Sequence, residues 1–348
     1  MPFIHADKPF RLSICIPTFN RSACLRELLE SIEAQQRPDV EVVIGNDASP
    51  DDTAKVMAEF AGRIQNLSAK THPLNLGLDL NYQAVAEAAG GEYIWMMGDD
   101  DRVEPGGVDK VIQHLDRWPG VVGLTLGVLD YDSRLQNPTG LRDMPPEQVV
   151  HGAAELFTLI PQHLGFMSAL VIRRDSWMHV LTNDPVQQFQ NLYSQVYVIG
   201  RAVGDAGAWG VSPVICVAFR SDNDQFQRRM GWYGRLEADV LAYAAVSDAV
   251  LSGHPQAHHA MTSKILGSHV LARLRNGKLV GLKWHELWKA VALLLRHYAG
   301  YRQCWTGAIP TLMTPAPFLR VGKWLYQRLH PSSGHAKARA AASAHGLN

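Results

Sequence analysis

Three consecutive aspartates, Asp99, Asp100 and Asp101, close the apolar run Tyr93-Ile94-Trp95-Met96-Met97-Gly98. Carboxylates crowded in this way repel one another unless a cation lies among them. Hard divalent cations take oxygen ligands, and as Mg²⁺ or Mn²⁺ they often join one or two carboxylates to substrate phosphates. The plainer alternative is a solvated acidic turn ahead of a helix opening near Pro105. Other apolar runs also end in polar residues. Leu12-Ser13-Ile14-Cys15-Ile16 leads into Pro17-Thr18-Phe19-Asn20-Arg21, and Val40-Glu41-Val42-Val43-Ile44-Gly45 leads into Asn46-Asp47-Ala48-Ser49. A run near Leu67 to Thr71 leads into His72-Pro73-Leu74-Asn75-Leu76-Gly77.

Each run reads as a buried strand entering a polar loop. Helical patterns fill the intervals. Ser22 precedes Leu25, Leu28, Leu29 and Ile32 on one face, Pro50-Asp51-Asp52-Thr53 opens a second helix, and a third covers about residues 81–89. Strands alternating with helices at this spacing imply an α/β fold with a largely parallel sheet. In such a sheet Thr18, Asn20, Asp47 and Asp99 to Asp101 converge on the carboxyl edge, where ligands bind. No G-x-G-x-x-G follows the first strand and no G-x-x-x-x-G-K-[ST] occurs, which argues against a dinucleotide enzyme or a P-loop ATPase.

As a set, Ile16 to Arg21, Asn46-Asp47-Ala48-Ser49, Asn75-Leu76-Gly77 with Asn81, and Gly91-Glu92-Tyr93-Ile94 through Asp101 resemble the family 2 glycosyltransferases of the GT-A fold. Gly98-Asp99-Asp100-Asp101 and Gly165-Phe166-Met167-Ser168 more narrowly resemble the abequosyltransferase-like branch. The resemblance implies a Rossmann-like nucleotide-diphospho-sugar transferase domain over residues 8–225, moving a sugar to a glycan or polyprenyl-linked oligosaccharide in bacterial surface-polysaccharide assembly. It implies that Pro17, Thr18, Asn20, Arg21, Asn75, Gly77 and Asp100 bind the nucleotide-sugar, and that Asp47 contacts the base. Asp101 becomes the direct ligand of Mn²⁺ or Mg²⁺, with Asp99 beside it and nearer the ribose. Gly165, Phe166, Met167 and Ser168 face the acceptor. One departure stands out. Where the family carries a carboxylate general base, this chain reads Leu192-Tyr193-Ser194-Gln195-Val196-Tyr197, and neither Ser nor Gln is a base near neutral pH. Asp184, Asp205 and Asp222 are the nearest acidic candidates, and the stereochemical outcome stays open. A non-catalytic nucleotide-sugar binder remains an alternative. A nucleotidyltransferase is disfavoured, since Pro17-Thr18-Phe19-Asn20 replaces a Gly-rich phosphate loop.

Beyond the triplet, residues 120–129 read as another strand and residues 130–150 as a surface excursion, either a lid or an uninvolved insertion. By the same resemblance, residues 207–220 match the family's final strand of the catalytic domain, and Arg220 to Asp224 read as a polar loop that could close over phosphates. Arg173 and Arg174 read as solvated strand-end residues rather than phosphate ligands.

The formal charge of zero conceals a division. Residues 275–348 hold 11 Lys and Arg against the single acid Glu286, whereas residues 1–274 hold 22 against 32. Residues 226–330 read as a basic helical extension, and residues 331–348 as an unstructured tail. Trp284, Trp288, Trp305 and Trp324 interleave with basic residues, a pattern suited to an anionic membrane surface. Nucleic acid is disfavoured because no binding module accompanies the charge. Four cysteines without paired spacing and an N-terminus lacking an apolar signal core point to a cytoplasmic protein, peripheral on the inner membrane face. His254, His258, His259 and His269 show no tight zinc spacing.

Overall fold

The computed structural model describes residues 10–329 and 335–344. Ten strands form one sheet: β1 (Leu12–Thr18), β2 (Val40–Asn46), β3 (Leu67–Thr71), β4 (Tyr93–Met96), β5 (Arg102–Val103), β6 (Gly123–Tyr131), β7 (Pro138–Leu141), β8 (Gln148–His151), β9 (Leu170–Arg173) and β10 (Ala208–Arg220). Their order is β3-β2-β1-β4-β9-β6-β10-β5, with β7 beside β6 and β8 beside β10. The first four are parallel, as the sequence implies, and β6 pairs parallel to β10. β9 runs antiparallel to both β4 and β6 and joins the two halves.

Alternation along the strands sets the two faces. Leu12, Ile14 and Ile16 of β1, with Tyr93 and Trp95 of β4, point into a core shared with α1 (Ser22–Glu33), α2 (Thr53–Phe60) and, across the triplet, a further helix at Gly107–Arg117. Cys15, Ile94 and Met96 point the other way. They meet α3 (Leu78–Ala88) and, with α4 being that Gly107–Arg117 helix, the later α5 (Gly152–Leu159), α6 (Pro161–Leu164), α7 (Arg174–Asn183) and α8 (Ser194–Val203). The same core continues without a break past residue 225 into α9 (Gln225–Val250), α10 (Pro255–Ile265), α11 (Leu271–Val280), α12 (Trp284–Tyr298) and α13 (Ile309–Met313). Leu236, Val240, Leu274 and Leu294 are fully buried in it. The helical extension is thus packed on the sheet domain through a common interior. On α12, Leu287 and Leu294 are buried, while Leu295 is exposed.

Two expectations are corrected. Residues 130–150 are not a free excursion, because β7 pairs with β6 and β8 pairs with β10, both antiparallel. Strands of four residues carry too little alternation to be read against the surrounding Pro and Gly. The tail also contains structure. After α14 (Ala316–Leu329), residues His335–Ala344 form α15, and Ala338 and Ala342 are buried against Leu129, Tyr131, Leu135, Ile215 and Ala218. Alanines at i and i+4 cost little to order and let a helix approach a strand closely. The rest of residues 331–348 lies outside the described residues.

Gly123 marks how tightly β6 is held. A Cβ there would strike the Val171 carbonyl oxygen on β9 and the Trp209 ring on β10. Gly123→Ala is expected to destabilise the protein by about 1–3 kcal/mol through forced strand displacement. An unchanged urea midpoint would show that the strands shift freely.

Candidate functional site

The loop after β4 turns at Gly98, where a Cβ would lie 3.1 Å from Ser168 Oγ and 3.2 Å from Asp101 Oδ2. Each aspartate then meets different partners. Asp99 is buried and accepts hydrogen bonds from Thr18 Oγ1 and Arg21 Nη1, each at 2.7 Å. Asp100 lies 3.0 Å from the same Arg21 nitrogen and accepts from Asn223 Nδ2. Asp101 is buried, accepting from Ser168 Oγ and, at 3.2 Å, from the Arg220 backbone N–H. Arg21 is therefore the resident cation for two of the three carboxylates. Burial, and next the neighbouring Asp100 charge, push the Asp101 carboxyl up to about 8. Asp99 is also raised by burial, although Arg21 opposes the shift.

The other strand ends assemble around this point. Asp47 accepts from the backbone N–H groups of Leu76 and Gly77, at 2.6 and 2.9 Å, while Asn75 Nδ2 donates to the Asp47 carbonyl. Its carboxylate thus clamps the loop that starts α3. Gly77, at φ 86°, is the N-cap of that helix. Asn20 and Ala48 hold left-handed backbone conformations at φ 55° and 57°, and the Asn20 N–H donates to Ser49 Oγ. Non-glycine residues in that region store strain and concentrate at binding sites.

Two contiguous clefts open along the edge. The first, about 640 Å³, is lined by Pro17, Thr18, Phe19, Arg21, Asp47, Asn75, Gly77, Asp79, Asp99, Phe226 and Arg229, among others. The second, about 750 Å³, contains the whole triplet, all of Gly165 to Ser168, and residues from the far end of the chain, including Ser268, His269, Arg273 and Asn276. Pro17, Arg21, Leu78, Asp99, Leu192, Gln225 and Phe226 form the shared wall.

Most residues expected at the site are therefore brought together. Asn20 is exposed and does not line either cleft. Of the acidic candidates, Asp184 accepts from Arg201 Nε and Tyr197 Oη away from both clefts, and Asp205 is exposed beside His254. Asp222 lines the second cavity, at φ 61°, and its carboxylate has no partner among the described residues. At the position lacking a family carboxylate, Ser194 Oγ donates to Asp79 Oδ1 at 2.6 Å. Burial raises the Asp79 carboxyl. The sequence also missed the second cavity's far wall. Arg235 and Arg273 pair with buried Asp239 and with Asp224, and Tyr193 Oη donates to Asp239. Only the third dimension joins residues 193, 239 and 273, so no linear motif exposes them.

As metal donors, Asp101 and Asp99 supply hard oxygens, and Asp101 forms no ion pair among the described residues. No three acidic, His or Cys groups cluster as a complete cage among the described residues. This donor set fits a divalent cation whose remaining ligands are phosphate oxygens and water.

Residues 13–171 match the family described as glycosyl transferase family 2. The chain is 25% identical to the abequosyltransferase RfbV of Salmonella typhimurium over 253 residues, which is 68% of this chain and 74% of that protein. The structure resembles S. aureus TarS 1-349 in complex with UDP-GlcNAc, with TM-score 0.61 and 16% identity over 90% of this chain and 92% of that one. It also resembles the mannosyltransferase PcManGT of Pyrobaculum calidifontis, solved in complex with GDP-Man and Mn²⁺, with TM-score 0.51 and 16% identity over 90% and 88% of the two chains.

The raised Asp101 carboxyl has a measurable sign. The folded protein keeps this proton up to about 8, whereas the unfolded chain releases it near 3.8. Fewer protons are bound in the unfolded state across that window, so this group lowers stability as pH rises through it. Thermal melts without divalent metal should therefore lose stability between those limits, and Asp101→Asn should flatten the slope. An Asn variant with the wild-type slope would assign the effect elsewhere.

Proposed function

Because residues 13–171 form a glycosyl transferase family 2 domain on a GT-A sheet, we propose that this glycosyltransferase draws its sugar from a nucleotide-sugar in the first cleft. The acceptor, a glycan or polyprenyl-linked oligosaccharide of bacterial surface-polysaccharide assembly, occupies the second cavity. The observation that carries this reading is the meeting of both clefts at Arg21 and Asp99, with Asp101 facing the acceptor segment. The nucleotide lies against Pro17, Thr18 and the Asn75–Gly77 loop, with Asp47 at the base and Asp99 nearer the ribose. Asp101, helped by Asp99, holds Mn²⁺ or Mg²⁺, which when bound neutralises charge developing on the leaving diphosphate as a Lewis acid. Arg21 keeps the remaining carboxylate charge in balance.

For the proton on the acceptor hydroxyl, Asp222 is the base this reading selects. Asp184 and Asp205 line neither cleft, whereas Asp222 faces the second cavity with a free carboxylate. Its loop is fixed on both sides. Arg21 Nη2 donates to the Asn223 carbonyl, and Asp224 is bound by Arg235 and Arg273. A fixed carboxylate near the reacting hydroxyl contributes about 10²–10⁴ in rate.

We also propose that the protein works at the inner face of the cytoplasmic membrane. Trp284, Trp288, Trp305, Phe318 and Trp324 are exposed at 71, 48, 55, 69 and 53%. Trp284 and Trp288 lie on α12 with Lys289 and Arg296, behind the N-cap Lys283; Phe318 and Trp324 lie on α14 with Arg320 and Arg328; Trp305 lies in the helical turn Cys304–Ala308 between them. Among the described residues no helix is long and apolar enough to cross a membrane. Aromatic and basic side chains together suit the headgroup region of anionic lipid.

Two experiments test the reading. A thermal-shift screen of nucleoside diphosphates with Mn²⁺ identifies a donor, and transfer is then assayed. Asp101→Ala should abolish transfer and most metal-dependent nucleotide binding, and Asp222→Asn should lower kcat by about 10²-fold or more. Near wild-type turnover in either variant removes that residue from its assigned role. In co-sedimentation, vesicles containing phosphatidylserine should bind the protein in a salt-sensitive manner and neutral vesicles should not. Equal or negligible binding to both leaves residues 275–330 with a purely structural role.

A further inference from the structure

Five arginines line the second cavity, and four are engaged by the protein. Arg21 is bound to Asp99, Asp100 and the Asn223 carbonyl. Arg220 reaches Glu27 and two carbonyls. Arg235 and Arg273 are held by Asp224 and Asp239. Arg142 differs. Its Nε donates to Asp130 Oδ1 at 2.9 Å, and neither terminal nitrogen has a partner among the described residues.

Arg142 is nevertheless firmly placed. It follows β7, whose pairing with β6 puts Asp130 beside it. Its guanidinium lies 4.0 Å from the ring centroid of Phe166 and 4.5 Å from that of Phe219, two rings that meet edge to face. The side chain is only 22% exposed. A guanidinium stacked on aromatic faces and tethered through Nε loses little further entropy when its outer fork binds an anion. Its charge reaches the neighbours: after burial, Arg142 is the next cause holding His163 down at about 4, and it opposes the rise at Asp101. His163 is therefore neutral at physiological pH, and Arg142 is the cation in this part of the cavity with donors to spare.

Two further polar atoms in the cavity wall lack partners. Tyr82 Oη and Gln162 Oε1 are both buried and unbonded. Buried polar groups left unpaired are costly, so both point to a ligand that supplies hydroxyl groups. A hydroxyl-rich molecule carrying an oxyanion offers the kinds of partner that these three positions lack.

Resting on the reading of the second cavity as the acceptor site, we propose that the acceptor unit is an anionic sugar. Its carboxylate or phosphate binds the outer fork of Arg142, and its hydroxyls meet Gln162 Oε1 and Tyr82 Oη. Arg142 sets acceptor specificity from just beyond β7, outside the donor cleft.

The test uses the full chain saturated with Mn²⁺ and the nucleoside diphosphate that it binds best. Glucuronate, glucose 6-phosphate and neutral glucose are titrated separately, with binding followed by ligand-observed NMR. One or both anionic sugars should bind roughly tenfold or more tightly than glucose, as charge-assisted hydrogen bonds predict. Preference for glucuronate assigns a carboxylate and preference for glucose 6-phosphate a phosphate. Arg142→Gln should erase the preference, and Arg142→Lys, which keeps the charge without the fork, should reduce it. The Lys variant carries the test if the Gln variant does not fold. Equal affinities for all three sugars, no binding of any, or a preference that survives both substitutions would overturn the proposal. So would an anionic-sugar preference seen only without nucleotide, since Arg142 would then serve the leaving diphosphate. Nucleoside diphosphate binding is measured first on the same samples. Its absence would count against the donor reading, and the sugar preference would then be measured on the nucleotide-free protein, separating the two failures.

Discussion

Arg21 lies 2.7 Å from Asp99 and 3.0 Å from Asp100, and the carboxyl edge of the sheet depends on that contact. Asp99 and Asp101 are buried and Asp100 nearly so, an arrangement that desolvation and mutual repulsion would otherwise disrupt. One guanidinium offsets two of the charges, and the third carboxylate is left to take up a proton or a cation. Because Arg21 also donates to the Asn223 carbonyl, the same side chain fixes the loop that closes the second cavity. Removing it would leave two buried anions uncompensated and free that loop together.

The scaffold makes this concentration of charge tolerable. Residues of the inner strands β1, β2 and β4 alternate between two apolar cores, and the carboxylates of the triplet gather just beyond the end of β4. β9 then crosses between β4 and β6 and delivers Ser168 to Asp101. On the far side, Asp239 at the centre of Arg235, Arg273 and Tyr193 ties α9 and α11 to the cavity wall. Buried ion pairs of this kind contribute little net stability but penalise alternative arrangements, because breaking one strands a charge.

How far the sequence could be read follows from where each residue's neighbours lie. The strands ending at Thr18, Asn46 and Met96 were legible because buried parallel strands are short continuous apolar runs bounded by polar loops. The triplet and the residues around it were legible as contiguous motifs. Asp184 and Asp205 seemed plausible only through proximity in the chain, and the fold turns both away. Asp79 was missed because its partner Ser194 lies 115 residues later. Arg142 was missed because it sits in a stretch whose strands are too short to show a period, and α15 because its Ala-rich composition also suits a disordered tail.

The two clefts draw on different parts of the chain. Apart from the shared wall, the first is built mostly from loops before residue 82, and the second takes its distinctive surface from residues 142, 162–168 and 268–276. With the donor and acceptor assigned to these clefts as proposed, the two recognitions can diverge independently. On that reading, substitutions at Arg142 or Gln162 would change the proposed acceptor pocket while leaving the proposed donor cleft unchanged. A lineage changing its acceptor would, on the same reading, need to alter only a few side chains outside the first cleft.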